Sequence, residues 1–513
     1  MFARLQAERN PAKPAVIHAS SGCVLSFGQL ESRANQLAHL LRSAGVRQRD
    51  HIALFMENGV DILVWEAAAE RAGLYYTLVN THLSGNEVAY IIDDCRAKVA
   101  VVSRGLLPLA AEAAPGCRAV ARWFITGDKP VEAPFEAYEQ TLSDYPSTPI
   151  GDELLGGPML YSSGTTGRPK GIFRSLPDVA PGDPIPRYDL VRALLDVREG
   201  MVYLSPAPLY HGAAQSSVAA SLRLGATTVI MDRFDAEGFL ALVERHHVTH
   251  TQVVPTMFSR LLDLPPEVRA GFDVSSLECV VHAAAPCPVA IKERMIDWFG
   301  PILREYYSAS EANGATACNT EEWRTHPGTV GRPVFGELLI LDDDGGVCPL
   351  GEIGTVWFRG ATSFEYFNDP AQTAASRDAT GTMSTVGDMG YTDADGYLYL
   401  TDRKSMMIIS GGVNIYPQEV EDLLISHPQV FDAAVIGVPN ADWGEEVRGV
   451  VQVVAGAVAG PELEAELIAW CRSRLARFKC PRAIDFAESL PRLPTGKMAK
   501  RMLRDQYWAN VTP

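Results

Sequence analysis

Between Tyr161 and Gly171 the chain reads Tyr-Ser-Ser-Gly-Thr-Thr-Gly-Arg-Pro-Lys-Gly. Ser162, Ser163, Thr165 and Thr166 supply four hydroxyls, and Gly164, Gly167 and Gly171 let the backbone turn tightly and bring its N–H groups close to an anion. Arg168 and Lys170 add positive charge. This is phosphate-binding chemistry. The segment is not a Walker A loop, which requires Gly-Lys-Ser/Thr, because Pro169 stands directly before Lys170. A second concentration of cations lies near the other end of the chain. Residues 472–504 hold ten basic side chains against two acidic ones, Asp485 and Glu488, and Lys497 sits there after Leu493-Pro494-Thr495-Gly496. From Arg403 onward 13 basic residues balance 13 acidic ones, so the formal charge of −17 lies before that point. An acidic body with a basic tail suggests two lobes, the smaller one facing an anion.

The 161–171 segment resembles the phosphate-binding signature of the adenylate-forming superfamily, which includes acyl-CoA synthetases, adenylation domains of peptide synthetases and beetle luciferases. Further signatures of that family follow in order, and the resemblance runs from about residue 14 to residue 500. Pro208-Leu209-Tyr210-His211-Gly212-Ala213-Ala214 matches a segment that lines the acyl pocket, with His211 near the reacting carboxylate. Ala283-Ala284-Ala285-Pro286 is similar to the small-residue turn against adenine, with Ala283 where the first position is usually glycine. Tyr307 to Glu311 matches Tyr-Gly-x-Thr-Glu, with Ser308 for glycine and Ser310 for threonine. By this resemblance Tyr307 faces adenine, Ser310 keeps a hydroxyl for phosphate, and Glu311 holds Mg²⁺, a hard cation that prefers carboxylate and phosphate oxygens. Val386-Gly387-Asp388 matches Thr-Gly-Asp, which assigns Asp388 to the ribose hydroxyls, and Arg403 follows Asp402 to reach ribose or phosphate. Ser405 stands at the family hinge, where Asp or Lys is usual. Ser410-Gly411-Gly412-Val413 matches the loop that meets the pantetheine arm of coenzyme A, and Lys497 matches the lysine that touches the substrate carboxylate and the α-phosphate.

The resemblance therefore implies an ATP-dependent carboxylic acid–CoA ligase that forms AMP and pyrophosphate, with ATP, Mg²⁺ and coenzyme A required. The nucleotide set is Ser162, Ser163, Gly164, Thr165, Thr166, Gly167, Arg168, Pro169, Lys170, Ala283, Ala284, Ala285, Tyr307, Ser310, Asp388 and Arg403. Lys497 and His211 are the catalytic candidates. His211, Gly212, Ala213, Met257 and Ala309 form the expected acyl pocket, whose small residues leave room for a hydrophobic monoacid, fatty, cyclic or aromatic. Ser410, Gly411, Gly412 and Phe478 form the expected coenzyme A contacts, with Arg472, Arg474, Arg477, Lys479 and Arg482 near its phosphates. The alternatives are an adenylation enzyme for another thiol acceptor and a non-catalytic nucleotide-binding protein of the same fold. A peptide-synthetase-like enzyme would place an acidic residue near Asp235; Phe234-Asp235 makes only a superficial match.

These residues need a scaffold. Ser26 and Gln29 form a capping box ahead of Phe27, Leu30, Ala34, Leu37 and Leu41, which repeat at helical spacing until Gly45. Ile52–Met56 and Val99–Ser103 read as buried strands, and Val60–Arg71 as a helix. The alternation predicts an α/β fold. The expected organisation is a large domain of parallel-sheet α/β layers with a β-barrel-like subdomain (1–402), a hinge (403–405), and a small mobile α+β domain (406–513). The segment 176–189, rich in Pro and Asp, reads as a mobile insert.

Composition is consistent with this. Of 513 residues 47% are hydrophobic and 21% charged, which excludes a disordered chain, and the net acidity argues against nucleic acid as a partner. No apolar run reaches the ~18 residues of a membrane helix. The opening MFARLQAERNPAKPAVIHAS lacks the apolar centre of a signal peptide, so a cytoplasmic protein without stable membrane insertion is expected. The nine cysteines form no C-x-x-C pair and read as reduced, packed thiols. A homodimer is left open.

Overall fold

The computed structural model describes residues 2–162, 168–360, 363–440, 442–493 and 497–509. The predicted helix forms over Phe27–Ser43, and both hydrogen bonds of the Ser26–Gln29 capping box are present. Its buried stripe of Phe27, Leu30, Leu37 and Leu41 stabilises by about 1.5–3 kcal/mol per large side chain. Ser26→Ala would cost roughly 1 kcal/mol by removing the cap. The stripe packs on the helix Val60–Arg71, which is buried from Ile62 to Arg71. Burying Arg71 there is tolerable because Glu31 pairs with it at 2.7 Å and Asn35 accepts a further hydrogen bond.

These helices share one core with two sheets. The first has six strands, all paired in parallel, centred on His51–Phe55, Tyr75–Leu78 and Val99–Val102. The second has nine strands. Its centre (Leu303–Ser308, Cys279–His282, His250–Val253, Val202–Ser205, Thr227–Ile230) is parallel, and Ala315–Asn319 joins one side antiparallel. Val-rich strands such as Val99–Val102 are buried on both faces, as parallel sheets require.

A five-stranded antiparallel sheet follows: Glu337–Leu341, Gly354–Arg359, Asp388–Thr392 and Leu398–Arg403, with Met383–Ser384 added on Gly354–Arg359. This corrects the expected barrel-like subdomain. The two outer strands do not pair with each other, so the sheet is open, and no closed barrel forms among the described residues.

The smaller C-terminal domain has its own five-stranded sheet. Gly444–Val453 is its centre, paired antiparallel along its length with Val430–Asn440, and the helices Pro417–Ile425, Pro461–Arg472 and Lys500–Trp508 pack on it. Its core is separate from that of the large domain.

The segment 176–189 is fastened rather than loose. Arg49 donates to the Pro177 carbonyl at 3.0 Å and to Asp178 at 2.6 Å, Arg223 donates to the Asp183 carbonyl at 2.6 Å, and a helix starts at Pro186. All nine cysteines are free thiols.

Candidate active site

Three strands converge on the site. The strand Leu303–Ser308 carries Tyr307, and the paired strands Asp388–Thr392 and Leu398–Arg403 place Asp388 in register with Arg403. The Tyr307 hydroxyl donates to one Asp388 oxygen at 2.7 Å, and Arg403 Nε donates to the other at 3.0 Å. Both carboxylate oxygens are thus anchored, and each retains a lone pair for a further donor. Burial, and then the Asp388 charge, push the Tyr307 phenol well above its ordinary pKa, so it remains a donor. Phe358 stacks behind the Tyr307 ring at 6.4 Å.

Glu311 follows the same strand and is only 7% exposed. Its Oε1 accepts from the Tyr366 hydroxyl at 2.9 Å. Lys170 Nζ lies 5.4 Å from the centre of the Tyr366 ring, a cation–π distance. One tyrosine therefore touches both the acidic group and the end of the glycine-rich segment. Arg174 donates to the Ser310 carbonyl.

The glycine-rich segment is the end of a hairpin. Leu160–Ser162 pairs antiparallel with Lys170–Phe173, with Ser162 opposite Lys170. Ser163, Gly164, Thr165, Thr166 and Gly167 lie outside the described residues. Tyr90 holds the descending arm: its hydroxyl donates to the Pro169 carbonyl at 3.2 Å, and the Arg168 guanidinium lies 5.4 Å from its ring centre. Gly171 has a packing reason to lack a side chain. A Cβ there would sit 3.1 Å from both Phe367 and Tyr161, tighter than ordinary contact.

Lys497 belongs to the C-terminal domain, yet its charge is set by the large one. Burial and then Arg403 lower its pKa to about 8, while Asp388, Asp402 and Glu311 pull it upward. The charges of Asp388, Glu311 and Arg403 thus all act on this one ammonium. Pro494, Thr495 and Gly496 lie outside the described residues. Three residues on, Lys500 Nζ is 2.9 Å from both Asp402 and Glu421, an ion triad joining the C-terminal helix to the last strand before the turn Lys404–Met406. Ser405 lies exposed in that turn.

His211 precedes the helix Gly212–Arg223 and is half-buried, with its Nε2 buried and unpartnered among the described residues. Burial and then His82 lower its pKa to about 4, so the ring is neutral at pH 7 and offers a hydrogen bond, not a charge. The space beside it differs from expectation. A Cβ on Gly212 would lie 2.5 Å from Leu160 Cδ1, so Leu160 already fills what the missing side chain was expected to leave open. Ala213 and Ala309 are half-buried, and Met257 sits on the helix Pro255–Leu262 in the core with Phe239 and Leu261. The small turn also shifts by one residue. Ala283 is a buried strand-end residue, whereas Ala284 adopts φ +74°, the left-handed geometry that favours glycine, and Ala285 follows it.

On the C-terminal domain Ser410, Gly411 and Gly412 form the turn between Ile408–Ser410 and Val413–Ile415, with φ of +59° and +80° at the two glycines. A Cβ on Gly411 would lie 2.5 Å from the Trp443 ring. Phe478 is 53% exposed, Lys479 pairs with Glu419 at 2.6 Å, and Arg482 lies 5.1 Å from the Trp443 ring centre.

Residues 3–366 match the AMP-binding enzyme family, and residues 419–497 match the AMP-binding enzyme C-terminal domain. The chain belongs to the AMP-binding enzyme family. It is 31% identical over 517 residues to the long-chain-fatty-acid–CoA ligase FadD13 of Mycobacterium tuberculosis, covering 99% of this chain and 98% of the relative. It is also 31% identical over 510 residues to a feruloyl-CoA synthase of Amycolatopsis, covering 98% of this chain and 97% of the relative. Among solved structures it is similar to ATP-bound MatB from Rhodopseudomonas palustris, with a TM-score of 0.82, 28% identity and 99% of each chain covered.

Several site residues of this AMP-binding enzyme escaped the sequence. Tyr366 and Tyr90 carry no motif, and only the fold brings them to Glu311 and to Pro169. Lys500 looked like one more cation of a basic tract. Two departures from the family pattern have local replacements. The hydroxyl missing at Val386 is present one residue earlier, where Thr385 accepts from the Gly387 N–H at 3.1 Å and donates to the Val356 carbonyl at 2.7 Å. Ser308, in place of glycine, donates to the Gly314 carbonyl at 2.8 Å.

Proposed function

We propose that this protein is an ATP-dependent carboxylic acid–CoA ligase that makes an acyl-adenylate and then an acyl thioester. The observation that carries the reading is the Lys500–Asp402 pair at 2.9 Å, three residues after Lys497, which brings that segment to the strand carrying Arg403, paired in register with Asp388. A carboxylate is a poor acyl donor because its leaving group would be oxide. Attack of its oxygen on the α-phosphorus of ATP forms a C–O–P bond, breaks the bond to the β-phosphate and releases pyrophosphate. Charge grows on phosphoryl oxygens, so positioning and cations do the work, and no general base is needed. Lys497 neutralises the α-phosphate and the entering carboxylate. Asp388 takes the ribose hydroxyls, Arg403 steadies that carboxylate, and Tyr307 and the turn 283–285 bound the adenine. Ser310, Ser162, Arg168, Pro169 and Lys170 hold the phosphates, together with residues 163–167.

Glu311 fits the role of magnesium ligand. Oε1 is held by Tyr366, Oε2 remains, and the described residues contain no cluster of three metal-ligating side chains. One carboxylate plus substrate phosphates suits Mg²⁺ better than an all-protein cage does. When bound, Mg²⁺ supplies further neutralisation of the phosphate oxygens.

In the second half-reaction the thiol of coenzyme A attacks the acyl carbon, the acyl–AMP bond breaks, and the thiol proton is lost to solvent. Lys497 must withdraw to admit the thiol. We assign residues 1–402 and 406–513 to two bodies that turn about 403–405, with Ser405 as pivot. Rotation breaks the Lys500–Asp402 pair and presents Ser410, Gly411 and Gly412 to the pantetheine arm, with Phe478 near the adenine of coenzyme A. The acid is a hydrophobic monoacid, fatty, cyclic or aromatic, bounded by His211, Gly212, Ala213, Met257 and Ala309. Pyrophosphate release is the test, measured over a graded panel of acids with and without coenzyme A. Release that needs a carboxylate and consumes thiol supports the ligase. Release without thiol consumption identifies another acceptor, and no release with any acid overturns the reading.

A further inference from the structure

Beside Phe367, the residue after the strand Glu365–Tyr366, lies a cavity of about 520 Å³ that the proposed reaction does not use. It opens at the start of three parallel strands, where His51, Tyr75 and Lys98–Val99 enter the six-stranded sheet. Its floor is four rings in a closed circuit. His51 stacks on Tyr75 at 4.7 Å and 17°, Tyr75 meets Phe173 at 5.1 Å, Phe173 meets Phe367 at 5.7 Å, and Phe367 meets His51 at 5.5 Å. The rim holds Arg49, Arg96 and Lys98 with the carboxylate of Asp50, and Asp178 pairs with Arg49 at 2.6 Å.

We propose that this cavity is a second ligand site, for a planar aromatic anion such as an aryl carboxylate, sulfonate or phosphate. Three features decide the class. The volume matches that of small-molecule sites, which span about 300–1,000 Å³. The flat aromatic floor favours a flat apolar body by stacking. The rim sign then selects the charge: aromatic faces attract cations, but three cations against two carboxylates leave the rim net positive and repel them. The rim is also partly committed in a way that leaves capacity. Lys98 pairs with Asp50 at 2.8 Å, and Arg96 donates to Asn368 at 2.8 Å while lying 5.5 Å from the Phe367 ring centre. A guanidinium has five donors, so Arg96 retains several. His51 adds an independent sign of a ligand. Its Nδ1 is buried without a partner among the described residues, and burial holds the ring neutral by lowering its pKa to about 4. A buried polar atom left unpaired costs about 1–3 kcal/mol, and with the ring proton on Nδ1 an anionic oxygen of the ligand would accept it and recover that cost.

The site shares its wall with the nucleotide site. Phe367 follows Tyr366, and the Tyr75 hydroxyl donates to the carbonyl of Arg174, whose guanidinium reaches Ser310.

The test is calorimetric titration of the full chain with naphthalene-2-sulfonate, which has no carboxylate to activate. One saturable site is expected, insensitive to saturating ATP. The Arg96→Ala/Lys98→Ala double variant should weaken it at least tenfold with thermal midpoint and pyrophosphate release unchanged. Lys98→Glu, a milder surface change, should weaken it about as much by repulsion. Absence of saturable binding at millimolar probe, undiminished binding in folded Lys98→Glu, or displacement by ATP would each overturn the proposal.

Discussion

The two halves of the proposed cleft are built on opposite principles. On the large domain every key group has a fixed partner: Asp388 is held by Tyr307 and Arg403, Glu311 by Tyr366, and Arg168 by Tyr90. On the small domain Lys497 follows Leu493-Pro494-Thr495-Gly496 in the sequence, and three residues on Lys500 pairs with Asp402 of the large domain. A preorganised half and a releasable half are what an enzyme with two successive half-reactions at one site requires. On the proposed mechanism Asp388 and Glu311 keep their places whichever half-reaction runs, whereas Lys497 serves one and obstructs the other.

The largest effect expected is on the preorganised side. Asp388→Ala removes the ribose acceptor and leaves Arg403 and the Tyr307 hydroxyl without their partner. Adenylation should fall by about 10²–10³, as for loss of a preorganised charge partner. Steady-state pyrophosphate release measures it, and a loss below about fivefold would place the ribose elsewhere. Gly411→Val tests the opposite half. Its Cβ meets the Trp443 ring at 2.5 Å and a β-branched residue disfavours φ +59°. Thioester formation from supplied acyl-adenylate should slow by about tenfold, with pyrophosphate release within twofold of the parent.

The contrast also sets a pH dependence. The Lys497 ammonium is charged below its pKa of about 8 and loses its proton as pH rises through that value. The kcat/KM for adenylation, which reports the free enzyme, should therefore decline above pH 8, by about tenfold per unit at its steepest. A lysine with ordinary pKa would hold its rate to about pH 10. Smallest is Tyr366→Phe, which leaves Glu311 in place without its donor. The loss of this hydrogen bond, about 1 kcal/mol net, should raise the Mg²⁺ concentration needed for half-maximal rate about fivefold and leave the acid's KM unchanged.

What the sequence revealed depended on whether a feature is local. The helix Phe27–Ser43 was legible because its cap and its stripe lie within a few turns of one another. Asp388, Glu311 and Lys497 were legible because each sits in a short motif. Tyr366 was not, because its hydroxyl meets Glu311 across 55 residues and no short pattern encodes that approach. Leu160 escaped for the same reason: only the fold carries it over Gly212. Ala284 is a subtler case. Three alanines in a row hide which one turns left-handed, and the backbone assigns that geometry to the middle one. The open antiparallel sheet shows the same boundary, since closure depends on whether two distant outer strands meet.

The central claim, that one ammonium serves the first half-reaction and must leave for the second, is tested by measuring both halves separately in Lys497→Ala. Stopped-flow pyrophosphate release from ATP and acid should drop by at least about 10², while thioester formation from synthetic acyl-adenylate and coenzyme A should stay within about threefold of the parent. Equal loss in both halves, or adenylation at the parental rate, would contradict it.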